Sequence, residues 1–174
     1  MKFDLNKSIE ILERTPSVIE AMLQGVSKDW VINNEGKETW SPYDVVGHLI
    51  SAEKTDWVPR MEVILSINSD KEFPPFDRFA MFKDSKGKSL QVLIKEFKTI
   101  RKKNIAILRK KKLTSKDLLK KGIHPAFGEV TLKQLLATWV VHDFTHIAQI
   151  TRVMAKQYKT EVGPWVNYLS VLTR

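Results

Sequence analysis

The stretch from Thr131 to about Gln157 constrains the fold more than any other part of the chain. Leu132, Leu135, Leu136, Trp139, Val140, Val141, Phe144, Ile147, Ile150 and Val153 recur at helical spacing and leave almost no polar face. A helix that is apolar nearly all round has to be enclosed by other elements. Three further segments carry the helical period needed to enclose it. The first runs from about Leu5 to Leu23, with Ile9, Leu12, Ile19 and Leu23 apolar and Asp4 as its cap. Pro16 lies inside it and predicts a kink or an early break. The second starts at Ser41-Pro42, a cap followed by proline at the first helical position, and continues through Val45, His48, Leu49, Ala52 and Trp57 to about Ile67. Pro59 predicts a bend within it. The third runs from about Ser89 to Lys111, with Leu93, Ile94, Phe97, Ile105 and Leu108 inward.

The connections between these helices are long. Gly25 to Thr39 and Gly122 to Gly128 read as loops. The loop from Phe73 to Gly87 holds Phe73, Phe76, Phe79 and Phe82, which are expected to pack across the domain. A short helix is expected after Gly163-Pro164, and no segment alternates in strand fashion. The reading is all-α: an up-and-down four-helix bundle with long loops, forming a single domain over residues 1–174.

The chain contains no cysteine. Disulfides, iron–sulfur clusters, cysteine-based zinc sites and a cysteine nucleophile are therefore excluded, and any thiol chemistry needs a thiol co-substrate. No apolar run has the length of a membrane span or the placing of a signal peptide, so a soluble cytoplasmic protein with no membrane partner is expected. The net charge of +9 is uneven. Lys95 to Lys121 holds twelve basic residues against Glu96 and Asp117, so the rest of the chain is close to neutral. No aromatics alternate with these charges, as a single-strand binding surface would need. The segment reads as a solvated face that draws in acidic small molecules rather than as a specific nucleic-acid reader.

His142 and His146 stand four residues apart, hence on one helical face. His48 shares its face with Val45, Leu49 and Ala52 and should also point inward. Three inward histidines on two helices of a bundle suit one metal ion with positions left open for water or substrate. The alternative is three separately satisfied core histidines. His124, in a Pro/Gly loop, reads as structural. Asp143 occupies the place where the zincin motif His-Glu-x-x-His needs its glutamate, which argues against a metalloprotease. No Walker A loop, Gly-x-Gly-x-x-Gly or Gly-x-Ser-x-Gly is present.

Three motifs, in order, resemble those of the DinB superfamily of DinB/YfiT-like metal-dependent bundles. They are Trp40-Ser41-x-x-x-Val45-x-x-His48-Leu49-x-x-x-Glu53, His124-Pro125-x-Phe127-Gly128-x-x-Thr131-Leu132, and His142-Asp143-x-x-His146-x-x-Gln149-Ile150. The resemblance implies a divalent metal, zinc or nickel, held by His48, His142 and His146, and a homodimer. It also implies a metal-dependent enzyme of the thiol S-transferase type, acting on a small molecule with a low-molecular-weight thiol such as bacillithiol or mycothiol. A metal-dependent hydrolase and a non-catalytic, stress-associated metal-binding protein are the alternatives. Glu53, Asp56, Asp143 and Gln149 are the candidates for orienting the ligand imidazoles, surface ion pairs being the other reading of the carboxylates.

Overall fold

In the computed structural model, which describes residues 1–68 and 70–173, the four long periodic segments are helices. α1 spans Leu5–Leu23, with the Asp4 side chain accepting the Lys7 amide. The second segment is two helices, α3 (Pro42–Thr55) and α4 (Trp57–Leu65). α6 spans Leu90–Lys110 and α8 spans Leu132–Lys156. Reciprocal capping boxes start two of them, Ser41 with Asp44 and Thr131 with Gln134.

The expected loops hold short elements. α2 (Lys28–Ile32) lies in the first and α5 (Ala80–Asp84) in the second. α7 (Ser115–Leu118) follows α6. The segment 122–128 belongs to an antiparallel hairpin, β1 (Lys121–His124) with β2 (Gly128–Thr131), closed by Gly128 at φ +68°. Four-residue strands are too short for alternation to show in the sequence. Phe73 is buried beneath this hairpin, held by hydrogen bonds from its amide to Ile123 O and from the Ile123 amide to Lys71 O. Phe79 and Phe82 stay exposed and stack on each other, so only part of the phenylalanine loop packs inward. Beyond α8 the chain ends in two 3₁₀ turns, Gly163–Tyr168 and Ser170–Leu172. Among the described residues no helix is long and apolar enough to cross a membrane.

α1 and α3 each pack against both α6 and α8. The contacts give the directions. Glu20 meets Lys98 and Glu13 meets Arg109, so α1 and α6 are antiparallel. The Tyr43 hydroxyl bonds just ahead of α6, at Ser85 O, while Glu53 meets Arg101, so α3 and α6 run parallel. The chain therefore does not simply alternate up and down. It runs back along the bundle between α4 and α6, which is what makes that connection long.

α8 is enclosed on one side only. Leu135, Leu136, Trp139 and Ile150 are buried, but Val141 is 62% exposed and Phe144 50%. The expectation of a helix covered all round is thus corrected: α8 sits in the outer ring of the bundle with one apolar strip uncovered.

The core comprises two apolar clusters. One includes Leu12, Ala52, Trp57, Ile105, Leu136 and Trp139; the other includes Ile19, Val45, Leu49, Phe97 and Ile150. Between them lies a polar layer built on Arg101, which is 2% exposed. Its Nε donates to Glu53 Oε1 on α3 at 3.0 Å, and its Nη2 lies 2.9 Å from the same oxygen. Nη1 and Nη2 grip the Asp143 carboxylate on α8 at 2.7 and 2.9 Å. Nη1 also donates to Leu12 O on α1 at 2.7 Å. That carbonyl is the one Pro16, four residues on, cannot serve, because proline has no N–H. The helix runs through Pro16 without a break, and a guanidinium from α6 supplies the missing donor.

The layer is completed by Trp139 Nε1 and Asn104 Nδ2, which both donate to Glu53, at 2.9 Å each. Arg101, read from the sequence as part of a solvated basic segment, is instead the centre of the core, whereas Lys98, Arg109 and Lys111 lie outside and pair with surface acids. Removing one partner from a buried ion network costs ~3–5 kcal/mol, because the opposite charges remain buried. Arg101→Ala should therefore lose stability of that order in denaturant unfolding. A loss below about 1 kcal/mol would mean that water or the neighbouring donors replace the guanidinium.

Candidate metal centre

Pro59 opens the site indirectly. Its ring conflicts with the carbonyl four residues back, so the second helical segment breaks at Thr55–Asp56, three residues ahead of the proline where a bend was expected. The break turns Asp56 and Trp57 toward a cavity of about 600 Å³. Its walls come from α3, α4, α8, the hairpin and the loops before α3 and α5.

His48, His142 and His146 meet at this cavity. His142 Nε2 lies 3.2 Å from His48 Nε2 and 3.1 Å from His146 Nε2, and all three ligand atoms lie within 4.8 Å of one another. Two nitrogens bound tetrahedrally at ~2.0–2.1 Å are about 3.3 Å apart, so these separations fit the donor set of a single ion. His146 Nδ1 lies 2.8 Å from Gln149 Oε1. With that acceptor in front of it, Nδ1 carries the proton and the Nε2 lone pair is free to face its neighbours. Nδ1 of His48 and of His142 is buried without a hydrogen-bond partner among the described residues.

The rings are held neutral, the form that ligates a metal. Burial, reinforced by the other histidines and by Arg78 or Arg101, lowers His48 to about 3 and His142 to about 2 from the ordinary 6.5. Burial lowers His146 as well, with the Gln149 hydrogen bond and Asp143 opposing it. Trp40 packs on His48 at 4.7 Å and is stacked toward His146 at 6.4 Å. Trp57 meets His142 edge-on at 5.0 Å, and Phe76 meets His48 edge-on at 5.5 Å. These rings wall the imidazoles off from bulk water on several sides.

Of the four candidates for orienting the rings, Gln149 alone hydrogen-bonds one. Asp143 binds Arg101 instead: one residue past His142 it is turned ~100° around the helix, toward α6 and α1. Glu53, five residues past His48, is turned away in the same manner and is held by Arg101, Asn104 and Trp139. Burial pushes the Glu53 pKa up against Arg101 and Asn104, yet every contact to its carboxylate comes from a donor, the pattern an ionised group requires. Asp56 pairs with Arg60 one turn along and lines the cavity.

His124 is not one of the converging rings, but it lines the same cavity from β1, so its reading as a purely structural loop residue is incomplete. Its Nδ1 accepts the Ala126 amide at 3.1 Å, leaving Nε2 as the N–H donor, and its ring stacks on Phe127 at 4.4 Å. Phe127, part of the second motif, lines the cavity too, and Arg78 is a further lining residue that no spacing in the sequence pointed to.

Metal titration should give one divalent ion per chain, lost in His142→Ala and kept in His124→Ala; full metal content in His142→Ala would refute the assignment. The neutral rings also set a pH dependence in the metal-free protein. Their folded pKa values lie below the unfolded ~6.5, so the unfolded chain takes up protons first as pH falls. Stability should drop below about pH 6.5, by up to ~1.4 kcal/mol per pH unit for each of His48 and His142, and recover above it. A His48→Phe/His142→Phe double variant whose unfolding midpoint keeps the same pH slope would contradict this.

The model of the DinB superfamily matches residues 11–150. Among solved structures, the chain superposes on YfiT from Bacillus subtilis with a TM-score of 0.74 at 22% identity, over 94% of this chain and 90% of that one. YfiT is described as a probable metal-dependent hydrolase with an unusual four-helix bundle topology. No curated protein sequence matches significantly. With the family match extending from α1 well into α8 and the four-helix bundle matching in structure, the chain belongs to the DinB superfamily.

Proposed function

We propose that this protein is a divalent-metal-dependent enzyme, with His48, His142 and His146 holding a zinc or nickel ion at the floor of the cavity, and that its reaction is hydrolytic. The observation that carries the reading is the convergence of three neutral Nε2 atoms, 3.1 and 3.2 Å apart, at the wall of a cavity of about 600 Å³. That volume lies within the ~300–1,000 Å³ of small-molecule sites. The description of YfiT as a probable metal-dependent hydrolase agrees with it. A divalent ion on such donors would act as a Lewis acid and lower the pKa of water.

The chain's own groups supply the rest. Gln149 fixes the His146 tautomer, and Trp40, Trp57 and Phe76 keep water from the flanks of the imidazoles. Asp56 is a buried carboxylate on the cavity wall that the Arg101 network does not hold. Burial raises its pKa, with Arg60 opposing the rise, which favours taking up a proton during turnover. Arg101 and Asp143 hold α8 in the rotation that brings both of its histidines to the cavity.

A second reading, the thiol S-transferase, draws on the absence of cysteine together with a cavity roomy enough for a small thiol beside an electrophile. A panel of activated esters and amides, run with and without a low-molecular-weight thiol on metal-replete protein, separates the two. The hydrolase reading expects turnover that needs no thiol and falls at least ~100-fold in His142→Ala. Turnover that appears only with the thiol supports the transferase. Bound metal with no turnover in either arm leaves a metal-binding protein without catalysis.

A further inference from the structure

The charged side chains on the cavity wall are not all paired. Asp56 pairs with Arg60. Glu35 accepts both Nε and Nη2 of Arg152, at 2.9 and 2.7 Å, and is shared by Lys156 at 2.9 Å, so that cluster keeps one positive charge. Two lining residues remain without an ionic partner among the described residues, Arg78 and Glu38. Both are exposed, at the rim. Asp77, beside Arg78 in sequence, turns its carboxylate to the Phe79 amide at 2.9 Å and leaves the guanidinium uncompensated.

Arg78 is held in a particular way. Its guanidinium lies 5.4 Å from the centre of the Trp40 ring and 5.3 Å from that of Phe79. A guanidinium packed against aromatic rings spends its face on them and keeps its N–H groups, which lie in its plane, for other partners. That plane matches the fork of a carboxylate. Trp40 in turn packs on His48 at 4.7 Å. The two separations together keep the guanidinium within about 10 Å of the His48 ring. On the hairpin side, His124 adds a neutral N–H donor to the same cavity.

We propose that Arg78 anchors a carboxylate of the substrate, so that the site takes small organic acids whose reacting group reaches the three histidines while the acid end lies on the Trp40–Arg78 stack. The proposal rests on the reading of the histidines as a metal site and deepens it by naming the substrate class. It also makes Arg78 a specificity residue of the mouth rather than part of the metal-holding set, since it contacts none of the histidine nitrogens.

The test compares two chelating probes on cobalt-loaded protein, followed by the visible absorption of the ion. Acetohydroxamate is the chelating group alone, and succinate monohydroxamate carries the same group with a free carboxylate. The second should bind about tenfold tighter to the wild type, the gain expected of a charge-assisted, two-pronged contact. In Arg78→Gln that preference should vanish, while cobalt stoichiometry and acetohydroxamate affinity stay at wild-type values; Arg78→Lys should keep only part of it. Equal affinities in normally loaded wild type, or a preference that survives Arg78→Gln, overturns the anchor alone. Failure of the wild type to take up cobalt overturns the metal reading and the anchor with it.

Discussion

The Arg101 guanidinium ties the bundle together at one level, reaching the Leu12 carbonyl on α1, Glu53 on α3 and Asp143 on α8 from its own place on α6. Four of its five N–H donors make hydrogen bonds to these oxygens, and Nη2 also lies 2.9 Å from Glu53 Oε1. Apolar packing would tolerate small slides and rotations of one helix on another. A buried charge that must find its acceptors does not, because any arrangement that leaves it unpaired is heavily penalised. The apolar clusters above and below supply the bulk of the driving force, and this layer selects one register.

The site inherits that register. Asp143 is adjacent to His142, so fixing its direction fixes the rotation of α8 and delivers His142 and His146 to the neighbouring face, about 100° and 60° around the helix. Glu53 does the same for α3 and His48. Two buried carboxylates against one guanidinium also leave negative charge behind the histidine cluster, which favours a cation in front of it. The imidazoles themselves stay neutral because burial among Trp40, Trp57 and Phe76 makes a charged ring costly. At the outer end Arg78 and Arg152 line the cavity, Arg152 paired with Glu35, and Glu38 stands on the rim.

Two prolines that would be expected to weaken helices contribute to this layout. Pro16 leaves a carbonyl free at the level where Arg101 needs an acceptor, so α1 continues. Among the described residues nothing comparable serves the carbonyl freed by Pro59, and there the helix divides at Asp56, which is what turns that carboxylate and Trp57 to the cavity. The same residue type gives opposite outcomes according to whether a donor from another helix is at hand.

The sequence by itself determined the four long helices, their caps at Asp4, Ser41 and Thr131, and the inward direction of His48, His142 and His146. These follow from periodicity and local hydrogen bonding, which act over a few residues. The order in which the helices pack, the parallel run of α3 and α6, the 121–131 hairpin and the place of Arg101 were decided by the tertiary structure. Arg101 lies among lysines, yet it stands four residues after Phe97 and four before Ile105, on the apolar face of its helix; that spacing marks it as inward, but its role appears only when Glu53 and Asp143, 48 and 42 residues away, are brought to it. The cavity mouth is of the same kind: Arg78 and Phe127 stand on loops and His124 at the end of a short strand, in segments whose sequences specify turns but not neighbours, and only the folded bundle decides what they face.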